Sequence, residues 1–294
     1  MLEREVFSTI NIKEFYLRRI FRIWPLYYFY IALTLLLTFF IAGHSADNIK
    51  YLWLFIFFVP NIAFNLNLYP QFMAHLWSIG IEEQFYAIWP QVIKKTNKLK
   101  RNILIFICLF LILKLGLKLL SLYIQNKLPF SIISTMRFDC MAVGALFSII
   151  YKNGISIKRP LLLVCQIIFW ILFLLSFIPG FSIFSIYGDE MFSILTGFII
   201  LGQLDKKNCL ISLENPVLNF LGRISYGMYV YHVLILFILK FVLINTFHYK
   251  IQNTLLLILY VLIFTIIISF LSYKYFELYF IKMKKNFSRI LSRN

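Results

Sequence analysis

Apolar runs recur along this chain at about 103–123, 131–151, 161–179, 183–203, 226–246 and 254–274. Each is close to the ~20 residues that an α-helix needs to cross a bilayer. They cannot all be hidden in a soluble core, because 61% of the 294 residues are hydrophobic and only 14% are charged. Too little polar surface remains to cover a globule of this size. The expected fold class is all-α, a polytopic bundle of transmembrane helices embedded in a lipid bilayer.

The first segment, NIKEFYLRRIFRIWPLYYFYIALTLLLTFFIAG, passes from a basic amphipathic stretch into an apolar one starting near Trp24, with Pro25 expected in a first helical turn. Met1 to Arg22 is polar and charged, unlike a cleavable signal peptide. Tyr51 to Phe64 is short for a span and holds Pro60, so it reads as re-entrant or interfacial. The next helix is expected to end at Pro90. Counting residues 51–93 as one net crossing gives about eight crossings in all.

Charge placement supports that count. With the N-terminus inside, Lys94 to Arg101, Lys152, Lys158, Arg159, Lys206, Lys207, Arg223 and the basic tail all fall on the cytoplasmic side. Lys50, Lys127 and Lys250 fall in outer loops. Both termini are then cytoplasmic in a multi-pass protein of the cell membrane. The formal net charge of +17 is spread over these short clusters, which is the pattern of membrane topology and not of nucleic-acid binding. No internal repeat or low-complexity linker divides the chain, so residues 1–294 read as one membrane domain. Cys108, Cys140, Cys165 and Cys209 show neither CxxC nor Cys/His metal spacing, which indicates no disulfide framework and no metal site.

Ionisable residues inside apolar runs are the candidate site. In HLWSIGIEEQFYAIWP, residues 75–90, Ser78, Glu82, Phe85, Tyr86 and Trp89 share one helical face, while Glu83 lies about 100° away beside Leu76, Gly80 and Ala87. The small residues beside Glu83 suit close approach of another helix. Carboxylates at membrane depth mark a site or a buried ion pair, or else both lie near the headgroups and solvate a helix end. Arg18, Arg19 and Arg22 stand where the first span meets the cytoplasm, as the positive-inside rule alone would have them. Lys114 and Lys118 share a face and either line a cavity or let Lys118 reach outward. Arg137 and Asp139 are two apart, so each needs a partner elsewhere. His232 sits about two turns into a span, as a packing group or a functional one.

LWSIGIEEQFYAIWP resembles the LWSLxxEEQFYLLWP signature of the integral-membrane O-acyltransferases called acyltransferase family 3. FYLRRIFRIWPLYY is similar to that family's FxxRRxxRIxPxYY element, RFDCMAVGALFS to its RFDxxxxGALLA element, and GRISYGMYVYHVLIL to GRISYSLYLWHxPxL. The closing SYKYFELY resembles SYxxIExP, with Leu278 and Tyr279 in place of arginine and proline. The resemblance covers essentially the whole chain. The family usually has two earlier spans carrying a Gly-x-Arg element and a histidine taken as catalytic base, so the chain is expected to represent an N-terminally incomplete form of the domain.

The resemblance implies transfer of an acyl group from a cytoplasmic coenzyme A thioester to a hydroxyl of a cell-surface carbohydrate. It implies acyl-CoA as co-substrate and no bound cofactor, with a glycan or polysaccharide precursor as partner. Such chemistry needs a base, positive groups for the donor's phosphates and donors for the oxyanion. Arg18, Arg19 and Arg22 are candidates for holding the donor through bidentate hydrogen bonds. Glu82, Glu83 and His232 are candidates for the catalytic proton work. Trp77, Ser78, Tyr86, Arg137 and Asp139 are acceptor-binding or structural candidates, Trp77 and Tyr86 as stacking rings. A non-catalytic remnant or partner subunit of such an enzyme is the alternative, and a transporter, usually built of repeated halves, is a third class.

Overall fold

A computed structural model describes residues 12–42, 49–70, 72–94, 98–154, 157–175, 178, 188–204, 208–245 and 254–283. Among these the secondary structure is helical throughout, with no strand. Five helical stretches are long and apolar enough to cross a membrane: Ile12–Phe40, Leu99–Tyr123, Leu128–Lys152, Pro216–Leu243 and Leu255–Met283. The described helices group into two compact units, one drawn from residues 87–215 and the other from 11–86 and 216–294. His44 and His248 lie outside the described residues.

The unit of residues 11–86 and 216–294 contains α1 (Ile12–Ala42), the short helices α2 (Leu52–Ile56) and α3 (Pro60–Asn65), the start of α4 (Trp77–Lys94), α10 (Pro216–Asn245), α11 (Thr254–Ser272) and α12 (Leu278–Met283). α10 packs along α11, and α1 packs against α10 and α12. Two expected helix boundaries move. α1 runs unbroken from Ile12, so Pro25 is interior and not in a first turn, and α4 continues through Pro90 to Lys94. A proline removes one helical hydrogen bond, and burial of Trp89 and Pro90 offsets that loss.

The stretch Tyr51 to Phe64 is not one helix. α2 and α3 are separated by a reversal in which Phe58 has φ of 57°. Helices of five and six residues leave most of their carbonyls without an internal partner. Backbone N–H groups of the following turns take most of them, and neighbouring side chains add donors at the helix ends and in the adjoining loops. Tyr27 and Tyr28 of α1 donate to the carbonyls of Phe55 and Ile56, each at 2.9 Å. Gln84 of α4 donates to the carbonyl of Phe58 and to Asn61 Oδ1, each at 2.8 Å, and Tyr30 donates to the carbonyl of Phe72 at 2.9 Å. Leu26, Tyr27, Tyr30, Phe55, Met73, Leu76 and Val230 form the buried core around these bonds.

Gly80 brings α4 against the first turn of α3. A Cβ there would lie 2.4 Å from Pro60 Cδ and 3.1 Å from the carbonyl oxygen of Phe58. Gly80 and Glu83, one turn apart on α4, thus serve close approach as the small-residue pattern predicts.

Between α11 and α12 the helix widens into a π-helical turn, Tyr273–Glu277. That turn places the buried Glu277 against α10, where a Cβ on Gly227 would lie 3.3 Å from its Oε1. Tyr231 of α10 donates to Ser272 Oγ at 3.1 Å, and Ser272 donates to Glu277 at 3.2 Å.

The unit of residues 87–215 contains the rest of α4, α5 (Leu99–Tyr123), α6 (Leu128–Met136), α7 (Phe138–Lys152), α8 (Arg159–Leu175) and α9 (Gly188–Leu204). α5 packs against α6 and α7, and α9 against α7 and α8. The expected run 131–151 is broken at Arg137, which adopts the left-handed conformation (φ 48°, ψ 25°) between α6 and α7. Arg137 then pairs with Asp189 at 3.1 Å.

Lys114 of α5 is buried and forms an ion pair with the equally buried Glu190 of α9. Lys118 instead lies 4.5 Å from the ring centroid of Phe130. Asp139 of α7 is fully buried in the same cluster and accepts the backbone N–H of Cys140 at 2.9 Å. Its carboxylate, Cys140 Sγ and the Glu190 carboxylate place one oxygen or sulfur each within 4.8 Å of one another. Toward the other end of α9, Gln166 of α8 lies against Gly202 and bonds the loop carbonyl of Asn208 at 2.9 Å and the N–H of Leu210 at 3.0 Å. All four cysteines are free.

Two outcomes follow. Gly80→Ala should lower stability by about 1–3 kcal/mol through overpacking against Pro60, whereas Gly116→Ala, with no atom within 4 Å of its Cβ, should be neutral or slightly stabilising. Thermal unfolding in detergent compares them, and equal midpoints would contradict the packing argument. Lys114→Met should cost about 3–5 kcal/mol by stranding the buried carboxylates. Adding Glu190→Gln to it should recover part of that loss in the same measurement, and no recovery would contradict the ion-pair assignment.

Candidate functional site

The polar residues of the unit of residues 11–86 and 216–294 converge from three short spacings. Arg19 and Arg22 are one turn apart on α1, Ser78 and Glu82 one turn apart on α4, and Ser225, Tyr226 and Tyr229 fall within five consecutive residues on α10. Together with Ile23 and Ile79 they line a cavity of 340 Å³. Glu82 is exposed to this space and not sunk in the packing. The positive fields of both arginines reach its carboxylate.

Arg19 is held in place by an aromatic. Its guanidinium lies 4.2 Å from the ring centroid of Tyr86 and donates to the Tyr86 hydroxyl at 3.4 Å. A cation over a ring face keeps its charge while the ring restricts its orientation. Arg18 points elsewhere, 3.5 Å from Glu14 one turn earlier on α1, and is not part of the cavity wall.

Glu83 has a separate role. Its Oε2 accepts the indole N–H of Trp24 at 2.8 Å, which ties α4 to α1. Its Oε1 is buried with no hydrogen-bond partner among the described residues. The two adjacent carboxylates thus have different surroundings, Glu82 facing open space and Glu83 facing the helix interface.

His75 and His232 meet, though they are far apart in sequence. Their ring centroids are 5.1 Å apart. His75 Nε2 lies 3.1 Å from the carbonyl of Val230 and His232 Nδ1 lies 2.6 Å from the carbonyl of Tyr229. A carbonyl only accepts, so these nitrogens carry the protons in the neutral rings. His75 Nδ1 is then an acceptor, buried and without a partner among the described residues. Tyr229 donates its hydroxyl proton to the carbonyl of His75 at 2.5 Å, and its oxygen lies 2.5 Å from Ser78 Oγ. The histidine pair therefore sits directly behind the cavity wall made by Ser78 and Tyr229.

The other candidates lie outside this cavity. Trp77 stacks on Phe64 with centroids 5.4 Å apart, and Tyr86 presents its ring to Arg19. Arg137 and Asp139 belong to the unit of residues 87–215, each with its own partners. Sequence reasoning passed over Tyr229 and the meeting of His75 with His232. The spacing of Ser225, Tyr226 and Tyr229 carries a signal for the first, since all three fall on one side of a helix. Nothing in the spacing of His75 and His232 predicts the second.

The helices and this cavity define a multi-pass membrane protein with an arginine and carboxylate site. The acyltransferase domain family matches residues 6–274, and the chain belongs to that family. It is 28% identical to the O-acetyltransferase OatA of Staphylococcus aureus (strain NCTC 8325) over an alignment covering 94% of this chain and 49% of that protein. To the peptidoglycan O-acetyltransferase OatA of Listeria monocytogenes it is 26% identical, over 76% of this chain and 40% of the relative. The chain spans about half or less of the length of these curated relatives. No solved structure matches it.

One outcome tests the interface. Trp24→Phe keeps an aromatic ring near Phe58, though a smaller one, and leaves Glu83 without its donor. It should cost about 1–3 kcal/mol. Trp24→Phe combined with Glu83→Leu should be more stable than Trp24→Phe alone, read from thermal midpoints of the purified variants.

Proposed function

We propose that this chain is the membrane part of an O-acyltransferase that moves an acyl group from a cytoplasmic acyl-CoA to a hydroxyl of a cell-surface carbohydrate. The observation that carries this reading is the single cavity holding Arg19, Arg22 and Glu82 in a chain of the acyltransferase family. The names of its relatives, an O-acetyltransferase and a peptidoglycan O-acetyltransferase, favour a carbohydrate acceptor.

In the reaction, the acceptor hydroxyl gives up its proton, its oxygen attacks the thioester carbonyl carbon, and the carbon–sulfur bond breaks to release the thiol. Arg19 and Arg22 suit the donor's phosphates because two guanidinium groups one turn apart offer paired N–H donors in fixed planes. Glu82, beside them in the same space, is the group placed to accept the hydroxyl proton. Tyr86 fixes the direction of Arg19. His75 and His232 form the next layer behind Ser78 and Tyr229, and support that wall through backbone bonds. The cytoplasmic placement of the arginines rests on the positive-inside distribution of basic residues.

Membrane vesicles containing the chain, supplied with radiolabelled acetyl-CoA and a polysaccharide acceptor, test this. Glu82→Gln should lower transfer by about 100-fold or more, the usual scale for removing a positioned proton acceptor. Arg22→Gln should raise the KM for the donor. Lys127→Gln, beside the exposed start of α6, should leave transfer unchanged. Equal rates in Glu82→Gln and Lys127→Gln would sink the assignment of Glu82.

A further inference from the structure

The hydroxyl groups of the cavity wall have their protons assigned by the fold. Tyr226 donates to the carbonyl of Ile23 at 2.8 Å, and Ser225 donates to the carbonyl of Gly222 at 3.0 Å. Tyr229 donates to the carbonyl of His75 at 2.5 Å. Because that proton is taken, the 2.5 Å contact between Ser78 and Tyr229 is made by the proton of Ser78. All four hydroxyls thus meet an occupant of the cavity as acceptors. Glu82, when ionised, is an acceptor as well. The remaining polar side chains of the wall, Arg19 and Arg22, carry donors alone.

We propose that this cavity selects its occupant by hydrogen-bond polarity: an anionic group at Arg19 and Arg22, joined to a part bearing several hydroxyl or amide donors that Ser78, Ser225, Tyr229 and Glu82 receive. This deepens the acyltransferase reading and rests on it. A ligand that is anionic but lacks donors leaves the acceptor wall unanswered, and a ligand with hydroxyls but no charge leaves two guanidinium groups unanswered. Unpaired polar groups in a confined site cost more than the matching bonds gain, so selectivity comes from the mismatch. Tyr229 is a positioning residue here. Its oxygen draws the proton of Ser78 away from the cavity.

Three probes separate the terms. Binding to the purified full chain in detergent is measured for glucose 1-phosphate, for cyclohexyl phosphate, which keeps ring and charge without hydroxyls, and for methyl glucoside, which keeps hydroxyls without charge. Glucose 1-phosphate should bind about tenfold or more tightly than either of the others. Arg22→Gln should weaken both phosphates alike. Tyr229→Phe releases the proton of Ser78 and should shrink the preference for glucose 1-phosphate over cyclohexyl phosphate to about threefold or less, with cyclohexyl phosphate binding as before. If Tyr229→Phe does not give a folded protein, Ser225→Ala reads the same ratio and should reduce it. Cyclohexyl phosphate binding as tightly as glucose 1-phosphate would overturn the proposal, as would no binding of any probe or a ratio unmoved in the folded variants. An acyl-transfer assay on the same preparation judges the enzyme reading separately. Transfer without probe preference sinks only the polarity argument, and preference without transfer sinks only the reaction.

Discussion

A hydroxyl proton removed from water must be given to something, and in this protein the receivers are mostly backbone carbonyls. Tyr27, Tyr28 and Tyr30 on α1, and Tyr226 and Tyr229 on α10, each end on a main-chain oxygen of another segment. Each such bond answers a phenol and a carbonyl at once, and all of these carbonyls but that of Ile23, inside α1, lie at a helix end or break. Without Tyr27 and Tyr28 the last two carbonyls of α2 would lose their side-chain donors. The tyrosines thus make irregular backbone tolerable beside α1 and α4. They also determine which way hydrogen bonds run around the cavity.

Charge is handled in two ways. Lys114, Glu190 and Asp139 are taken out of water together, with the ammonium of Lys114 paired to Glu190 and Asp139 buried beside that carboxylate. Such a cluster contributes little net stability but makes any other arrangement of those helices expensive. Arg19, Arg22 and Glu82 instead share a cavity open enough to admit a ligand, and none of the ion pairs among the described residues joins them. Charges held apart keep their capacity to bind something else.

Much of this was legible in the residues. The apolar runs foretold the helices, and the adjacent carboxylates Glu82 and Glu83 stand out on α4 because charge is costly in an apolar segment. Helical geometry separated their two directions, since 100° per residue is a local property. What could not be read were contacts between distant positions: His75 against His232, Trp24 against Glu83, Lys114 against Glu190. Each depends on where helices cross, which no spacing along one helix encodes. The prolines misled for a related reason. Pro25 and Pro90 are poor helix residues locally, and the packing around them outweighed that preference. Arg137 shows the reverse case, where an apolar run that reads as one span is broken by a single residue with positive φ.

The π-helical turn at Tyr273–Glu277 sets the phase of everything after it. A turn of i→i+5 bonds holds one residue more than an α-helical turn, so it acts as an insertion already absorbed into the helix. Removing one residue from this stretch would let it wind as an ordinary helix while α12 kept nearly its present face toward α1, at the cost of the placement of Glu277. Removing one residue from the regular winding of α11 would instead turn α12 by about 100°. The wide turn is thus a place inside a helix where a length change of one residue leaves the later contacts standing.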